Sequence, residues 1–338
     1  MNKSVIIGMS GGVDSSVAAA LLVKQAYKVT GVTMKLWEGY TNAGNIAETL
    51  GIPYIVADFQ KEFNEEVISY FIHEYQSGRT PNPCVMCNKK IKFEALLKKA
   101  DELGADYIST GHYSHIAEQN GRFLLKRPAD RNKDQTYFLY NLTQQQLSRT
   151  LMPLSGITKD ETRKIAAELK LASAERRDSQ EICFIPNGDY AKFITEYGCV
   201  SPPGDFVDLD GNVLGRHSGI INYTVGQRKG LGIALGKPVF VAKIDSETNR
   251  VFLGEEGCQL SDTLFANDLN FIPFDKPEAP FRCTAKIRYN AKESPCVVQL
   301  CNDGVKVTFD APLRSVTPGQ SVVFYDDDVV IGGGTIWK

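Results

Sequence analysis

Three groups of residues have types and spacings that could do chemistry. The first is Ser10-Gly11-Gly12-Val13-Asp14-Ser15-Ser16. Gly11 and Gly12 lack the Cβ atoms that would block close backbone approach, and the three serines offer hydroxyl donors. The Ala- and Leu-rich run that follows would aim its free amides and positive dipole end at the loop, so the loop is suited to an anion such as pyrophosphate. It is not a Walker loop, because no GK[ST] follows, nor is it GxGxxG. The second group is Cys84-Val85-Met86-Cys87, two thiols expected on the turn before a helix, where the dipole and Lys89, Lys90 and Lys92 favour thiolate. Thiolate is what a nucleophile or a metal ligand needs, and by itself the pair leaves zinc binding, redox chemistry and catalysis open. The third is Cys183, in a later crossover loop beside Arg176, Arg177 and Asp178, from which it can reach the same pocket. Cys199, Cys258, Cys283, Cys296 and Cys301 stand alone in β-like runs and read as small core hydrophobes.

His112 follows a strand beside Gly111 and can either face a ligand or be a satisfied polar group; His73, His115 and His217 read as structural. Lys89, Lys90, Lys92, Lys98 and Lys99 contain one opposing charge, Glu94, and Lys126, Arg127, Arg131 and Lys133 form a second basic group. Alone each is a solvated face; beside a nucleotide loop they become candidates for phosphate-backbone contact. Tyr223 to Gly232 and Arg288-Tyr289-Asn290 place Arg and Tyr where they suit base stacking and phosphate gripping.

The elements that must position these groups follow a βαβ rhythm. Val5 to Met9, Lys28 to Leu36, Tyr54 to Ala57 and Ala105 to Thr110 read as strands, and Glu62 to Gln76 and Lys89 to Leu103 as helices. Such an order implies a parallel, doubly wound sheet with ligands at the carboxyl ends of its strands, where SGGVDSS, Met34, PNPCVMCN and GHY all fall. Asn120-Gly121 signals a hairpin, and Thr158-Lys159-Asp160-Glu161 a capping box opening a helix to Leu171. Beyond about Gly198 short alternating runs punctuated by glycine give all-β structure, divided near 265, where Asp268 to Pro280 reads as a linker. The expected units are 1–197, an α/β domain; 198–265, a small central β domain; and 266–338, a β barrel.

A chain of 338 residues with 43% hydrophobic composition supports two or three globular domains. No apolar run reaches the roughly 20 residues of a membrane span, and the amino terminus enters a strand without a signal-peptide pattern, which predicts a cytoplasmic protein. Eight cysteines are too sparse for a secreted disulfide scaffold. A net charge of −2 means that any nucleic acid would be held by local patches.

SGGVDSS resembles the PP-loop of the N-type ATP pyrophosphatases. With RTPNPCVMCNKKIKF, GHY, KDQTYFL, DSQEICFI, YTVGQRKGLGI, IRYN and TPGQ in that order over almost the whole chain, the sequence resembles the bacterial tRNA-specific 2-thiouridylases, the MnmA family. The resemblance implies an adenine nucleotide α-hydrolase-like first domain, with ATP and Mg2+ at Gly8, Met9, Ser10, Gly11, Gly12, Val13, Asp14, Ser15, Met34 and Gly111. It implies a nucleophile at Cys87 and a persulfide carrier at Cys183, with Asp14 serving the nucleotide chemistry. Target-base contacts fall on Asn82, Pro83 and Cys84, and tRNA contacts on His112, Lys133, Asp134, Gln135, Arg288, Tyr289 and Gln320. The reaction it implies is adenylation of O2 of the wobble uridine in Lys, Glu and Gln tRNAs, followed by sulfur transfer, with sulfur from a cysteine desulfurase or a relay protein and no membrane partner. Cys84 stands where many members carry Asp, and residues 38–45 form a shorter segment than usual. Cys84, Cys87 and Cys183 leave two routes open, a persulfide relay or an iron–sulfur cluster whose unique iron binds sulfide. Another PP-loop synthetase, or a non-enzymatic RNA-binding protein with a structural metal, are the rival classes.

Overall fold

Ile6 of β1 (Ser4–Gly8) lies in one apolar core while Val5 and Ile7 lie in another, so this strand is covered on both faces. Two-sided burial is what a continuous Val/Ile run encodes in a parallel sheet. The protein, seen here in a computed structural model, is described over residues 2–38, 43–171, 182–185 and 188–338. α1 (Val13–Lys24) leads to β2 (Lys28–Lys35), and a crossover through the short helix Gly44–Thr49 leads to β3 (Tyr54–Asp58). β4 (Tyr107–Ser109) lies on the other side of β1. The hairpin β5 (His115–Gln119) and β6 (Arg122–Lys126) then leaves the sheet, and β7 (Thr150–Leu151) completes it. The order β3-β2-β1-β4-β7 is parallel throughout, and it changes direction between β1 and β4, which opens a crevice at their carboxyl ends.

Two helices cover one face of this sheet. Residues 60–76 and 83–102 each run continuously, with π-wound middles at Asn64–Ile68 and Asn88–Ala95. Phe63, Val67 and Phe71 of the first and Ile91, Phe93 and Leu96 of the second share a core with Ile6 and Val32. The second helix starts at Pro83, a residue suited to the first helical position, so Cys84 and Cys87 lie inside the helix rather than on the turn before it.

In the central region β8 (Gly204–Val207), β9 (Val213–His217), β10 (Phe240–Asp245) and β11 (Arg250–Gly254) form a sheet of order β10-β11-β8-β9 around Phe206, Tyr223, Val241 and Val251. Its YTVGQ tyrosine, Tyr223, is a buried core residue in edge contact with Phe206, which removes it as a base-stacking platform.

The last sheet holds β12 (Leu260–Phe271), β13 (Phe281–Lys286), β14 (Ser294–Cys301), β15 (Gly304–Arg314), β16 (Ser321–Asp326) and β17 (Val329–Ile336) in the order β12-β15-β14-β13-β16-β17. β12 closes it into a barrel by pairing with β15 up to Ala266 and with β17 from Ala266 onward. The switch is made at a register shift containing Asp268, at φ +47. Asp268 to Phe271, expected as the start of a linker, are therefore strand: an Asp tolerates the left-handed backbone that bends a strand, and its composition reads like a loop. Cys283 and Cys296 pair across β13 and β14 with their sulfurs 3.6 Å apart and are buried, whereas Cys301 is exposed and does not belong to the core.

The hairpin turn Asn120-Gly121 takes positive φ at both residues, as its sequence predicts. The hairpin's second strand joins the barrel, with Lys126 opposite Val329. Arg127 fastens the junction: its guanidinium lies 4.2 Å from the Tyr325 ring and pairs with Asp134 at 3.2 Å and Glu293 at 2.6 Å. Among the described residues no helix is long and apolar enough to cross a membrane.

Candidate active site

At the end of β1, Gly11 takes φ +73 and Gly12 precedes α1 in extended backbone, with no side chain capping the helix. Its first amides are thus left for an anion. The serines shape the loop: Ser15 Oγ and Ser16 Oγ donate to the Gly12 carbonyl at 3.2 and 2.8 Å, and Ser10 N–H donates to Ser15 Oγ at 3.3 Å. A Cβ on Gly111, just past β4, would sit 2.6 Å from Ser15 N and 2.8 Å from Asp14 C, so this glycine lets the sheet approach the loop backbone. At Gly8 a Cβ would meet the movable Met34 Cε at 3.0 Å and Leu96 of the cysteine-bearing helix at 3.6 Å. The nucleotide loop, Met34, Gly111 and that helix therefore meet around one crevice.

Asp14 is held by a group that motif spacing does not reveal. Lys159, the first residue of the helix Lys159–Glu168, is buried, and its Nζ lies 2.7 and 2.8 Å from the two Asp14 carboxylate oxygens. Tyr113 OH donates to Asp14 Oδ1 at 3.0 Å and contacts Thr162 Oγ1 at 2.9 Å. The capping box Thr158–Glu161, present as its sequence predicts, fixes the helix start that presents Lys159. Both Asp14 oxygens are engaged by the Lys159 ammonium, so a Mg2+ ion at this carboxylate would have to share it with that cation.

The thiols occupy one electrostatic neighbourhood. Burial pushes the Cys87 thiol up to about 12, the Lys92 charge works against that, and Cys183 and Cys84 add to it. Cys84 and Cys183 are likewise raised, first by desolvation, with Lys92 opposing. Cys183 is exposed at the surface yet crowded enough for desolvation to prevail. Lys92 also helps burial to lower the pKa of His112 well below the usual histidine value. The Lys92 charge thus favours thiolate at all three cysteines and disfavours protonation of the histidine. The expectation that the helix dipole and three lysines favour thiolate is corrected: the surrounding apolar packing outweighs them. Among the described residues, no three His, Cys, Asp or Glu side chains are grouped so as to hold a metal ion.

The family description "tRNA methyl transferase HUP domain" matches residues 3–187, "tRNA methyl transferase PRC-barrel domain" matches 191–255, and "Aminomethyltransferase beta-barrel domain" matches 261–336. Over 99% of its length the chain is 54% identical to the tRNA-specific 2-thiouridylase MnmA of Acetivibrio thermocellus, covering 99% of that protein. The chain belongs to the tRNA-specific 2-thiouridylase family. Relatives of the same name from Lachnoclostridium phytofermentans and Clostridium acetobutylicum are 52% and 53% identical, each over 99% of this chain and all of the relative.

Several positions that the thiouridylase resemblance assigns to RNA have protein partners in this structure. His112 is buried, 2.8 Å from Thr110 Oγ1 through Nδ1 and tilted against Phe93. Asp134 is buried, accepts from Thr136 N–H and Oγ1 at 2.9 and 2.6 Å, and pairs with Arg127. Gln135 Oε1 accepts from Tyr113 N–H at 2.8 Å. Lys133 is half-buried in the turn Arg131–Lys133. Tyr289 packs on Phe138 at 4.5 Å, and Arg288 Nη2 donates to the carbonyls of Arg314 and Ser315 at 2.6 and 3.2 Å. Asn82 is half-buried and Pro83 buried at the helix start. The first basic cluster is more neutralised than its sequence suggests: Lys90 pairs with Glu66 and Glu94, Lys98 with Glu94, and Lys99 with Glu102. Arg228 and Lys229 are exposed on the glycine-rich central loop. Arg176, Arg177, Asp178 and residues 39–42 of segment 38–45 lie outside the described residues.

Beside Cys87, Asn88 is buried with its Oδ1 lacking a hydrogen-bond partner, while its amide nitrogen lies 3.4 Å from the Phe138 carbonyl. Neither Asn88 nor Lys159 announces itself in sequence. The available signals were adjacency to CxxC for the first and the capping box for the second.

Proposed function

We propose that this chain is an ATP-dependent tRNA-uridine 2-sulfurtransferase that modifies the wobble uridine. The observation that carries the reading is that Cys84 and Cys87 lie on a helix whose Leu96 abuts the end of the nucleotide-loop strand, while Ile182 and Phe184, on either side of Cys183, pack against the core that holds Cys87. Residues 1–197 would activate the base and transfer sulfur, while 198–265 and 266–338 would grip tRNA. ATP would lie with its phosphates on Gly8 to Ser15, near Met34 and Gly111, and Mg2+ would be held chiefly by those phosphates and by water.

In this reading O2 of the uridine attacks the α-phosphate and pyrophosphate leaves, which converts a poor leaving oxygen into AMP. The terminal sulfur of a Cys183 persulfide then attacks C2 and expels AMP. Cys87, as thiolate, attacks the Cys183 sulfur, releasing the thiolated base and leaving a Cys87–Cys183 disulfide that an external dithiol reduces by two electrons. Sulfur reaches Cys183 from a cysteine desulfurase or a relay protein, and the work is done in the cytoplasm, where tRNA is used. The relay is favoured over an iron–sulfur cluster because it needs only Cys87 and Cys183, whereas a cluster would need Cys84 as its third ligand at a position where many members of the family carry Asp.

Enzyme incubated with ATP, unmodified tRNA and a persulfide donor is expected to yield AMP, pyrophosphate and 2-thiouridine in step, and a folded Asp14→Ala variant to lose this by about a hundredfold or more. AMP formation with a small amine acceptor and no thiolation would favour a synthetase and overturn the reading. Anaerobically purified enzyme is expected to be iron-free, with Cys84→Ser still active; stoichiometric iron lost together with activity in that variant refutes the relay.

A further inference from the structure

The loop before the cysteines is braced from outside its own domain. Thr80 N–H donates to the Pro318 carbonyl at 2.8 Å, and Gln320 Nε2 donates to the carbonyls of Thr80 at 2.8 Å and Pro81 at 3.3 Å. Gly319 between them is buried at φ +91, and a Cβ there would come within 2.9 Å of the Thr80 backbone. From the central sheet's side, Thr224 Oγ1 lies 3.1 Å from Thr80 Oγ1. All three parts of the molecule meet at this one threonine.

We propose that the barrel turn Thr317 to Gln320 sets the position of the cysteine loop, with Gln320 as a positioning residue for sulfur transfer. The inference rests on the thiouridylase reading for the reaction it serves, and on geometry for the brace itself. The turn's donor, Gln320 Nε2, and its acceptor, the Pro318 carbonyl, both engage backbone groups of residues 80–81, so they fix main-chain atoms rather than a replaceable side chain. Between the brace and Cys84 stand Pro81, Asn82 and Pro83, and the two prolines lock their φ angles and restrict the residues before them. A shift at Thr80 is therefore passed to the thiols with little slack. Because the same turn belongs to the barrel, RNA that docks on the barrel bears on the cysteines through three residues of stiff backbone. This makes Gln320 a member of the protein framework first, whatever it later meets on tRNA.

The test uses the full-length enzyme and Gln320→Met, which keeps side-chain volume and removes the donor, with Gly319→Ala as a second variant that strains the same turn. Two readouts separate the roles. The rate of Cys84 alkylation by iodoacetamide is measured in the free enzyme, where no RNA is present, and kcat for thiolation is measured beside tRNA Kd. Positioning predicts an alkylation rate changed threefold or more and kcat reduced about tenfold, with Kd within twofold of the parent. Unchanged alkylation with a weakened Kd would make Gln320 a tRNA contact and overturn the proposal, as would all three readouts unchanged. Alkylation altered in an enzyme whose parent forms no 2-thiouridine would uphold the brace while refuting the thiouridylase reading.

Discussion

Cys87 sits where burial holds its thiol protonated, at about 12, and the Lys92 charge pulls it back. Removing that charge should raise the pKa further, because the thiolate loses a cation that stabilises it. Lys92→Met is thus expected to slow iodoacetamide alkylation of Cys87, Cys84 and Cys183 severalfold at pH 8, a one-unit rise being about tenfold in thiolate. In the parent protein the Cys87 rate should climb about tenfold per pH unit through pH 10 without a plateau, since the folded pKa lies above that window. A plateau near pH 8, or an unaffected rate in Lys92→Met, would show that packing does not control this thiol. The chemistry consequently needs something that bound substrate brings to activate Cys87, and a neighbouring persulfide, more acidic than a thiol, is the stronger nucleophile of the pair at neutral pH.

At the scale of elements, the crevice exists because two glycines let strand ends touch what lies above them, and the two differ in what a methyl group would strike. At Gly111 it would strike the backbone of Asp14 and Ser15, which has nowhere to go; at Gly8 it would strike the movable end of Met34. Gly111→Ala should therefore cost roughly 1–3 kcal/mol by urea titration and abolish ATP binding, with Gly8→Ala much milder on both measures. Equal effects of the two would contradict the packing argument. The strands, the Asn120-Gly121 turn, the capping box and the anion loop were legible because each is written in residues adjacent in sequence. Lys159 against Asp14, Gln320 against Thr80 and Arg127 against Tyr325 were not, because each joins segments that only the folded chain brings together. The thiols were misread for the same reason. Nearby lysines are visible in sequence, whereas the desolvation that outweighs them comes from the surrounding core. Asp268 failed differently: a bend inside a strand and a linker share one composition.

Across the whole molecule a net charge of −2 carries basic groups that are partly neutralised and partly outward-facing. Binding of tRNA should weaken linearly in log salt, by roughly 0.7–0.9 per phosphate neutralised. Arg288→Ala should lower that slope by about one such step, since only one of its guanidinium nitrogens is committed to the Arg314 and Ser315 carbonyls. Salt-independent affinity would exclude a phosphate-gripping surface. The hairpin on the barrel bears on how the chain is made. Arg127 Nε donates to the Asp327 carbonyl 200 positions later, so at about 5–20 residues per second of synthesis the hairpin waits roughly 10–40 s for its partner strand. Throughout that interval the nascent chain shows a bare β edge. Arg122, Lys126 and Arg127 flank that edge with positive charge, the kind of guard that keeps an uncovered strand from pairing with a neighbouring polypeptide on the same polysome.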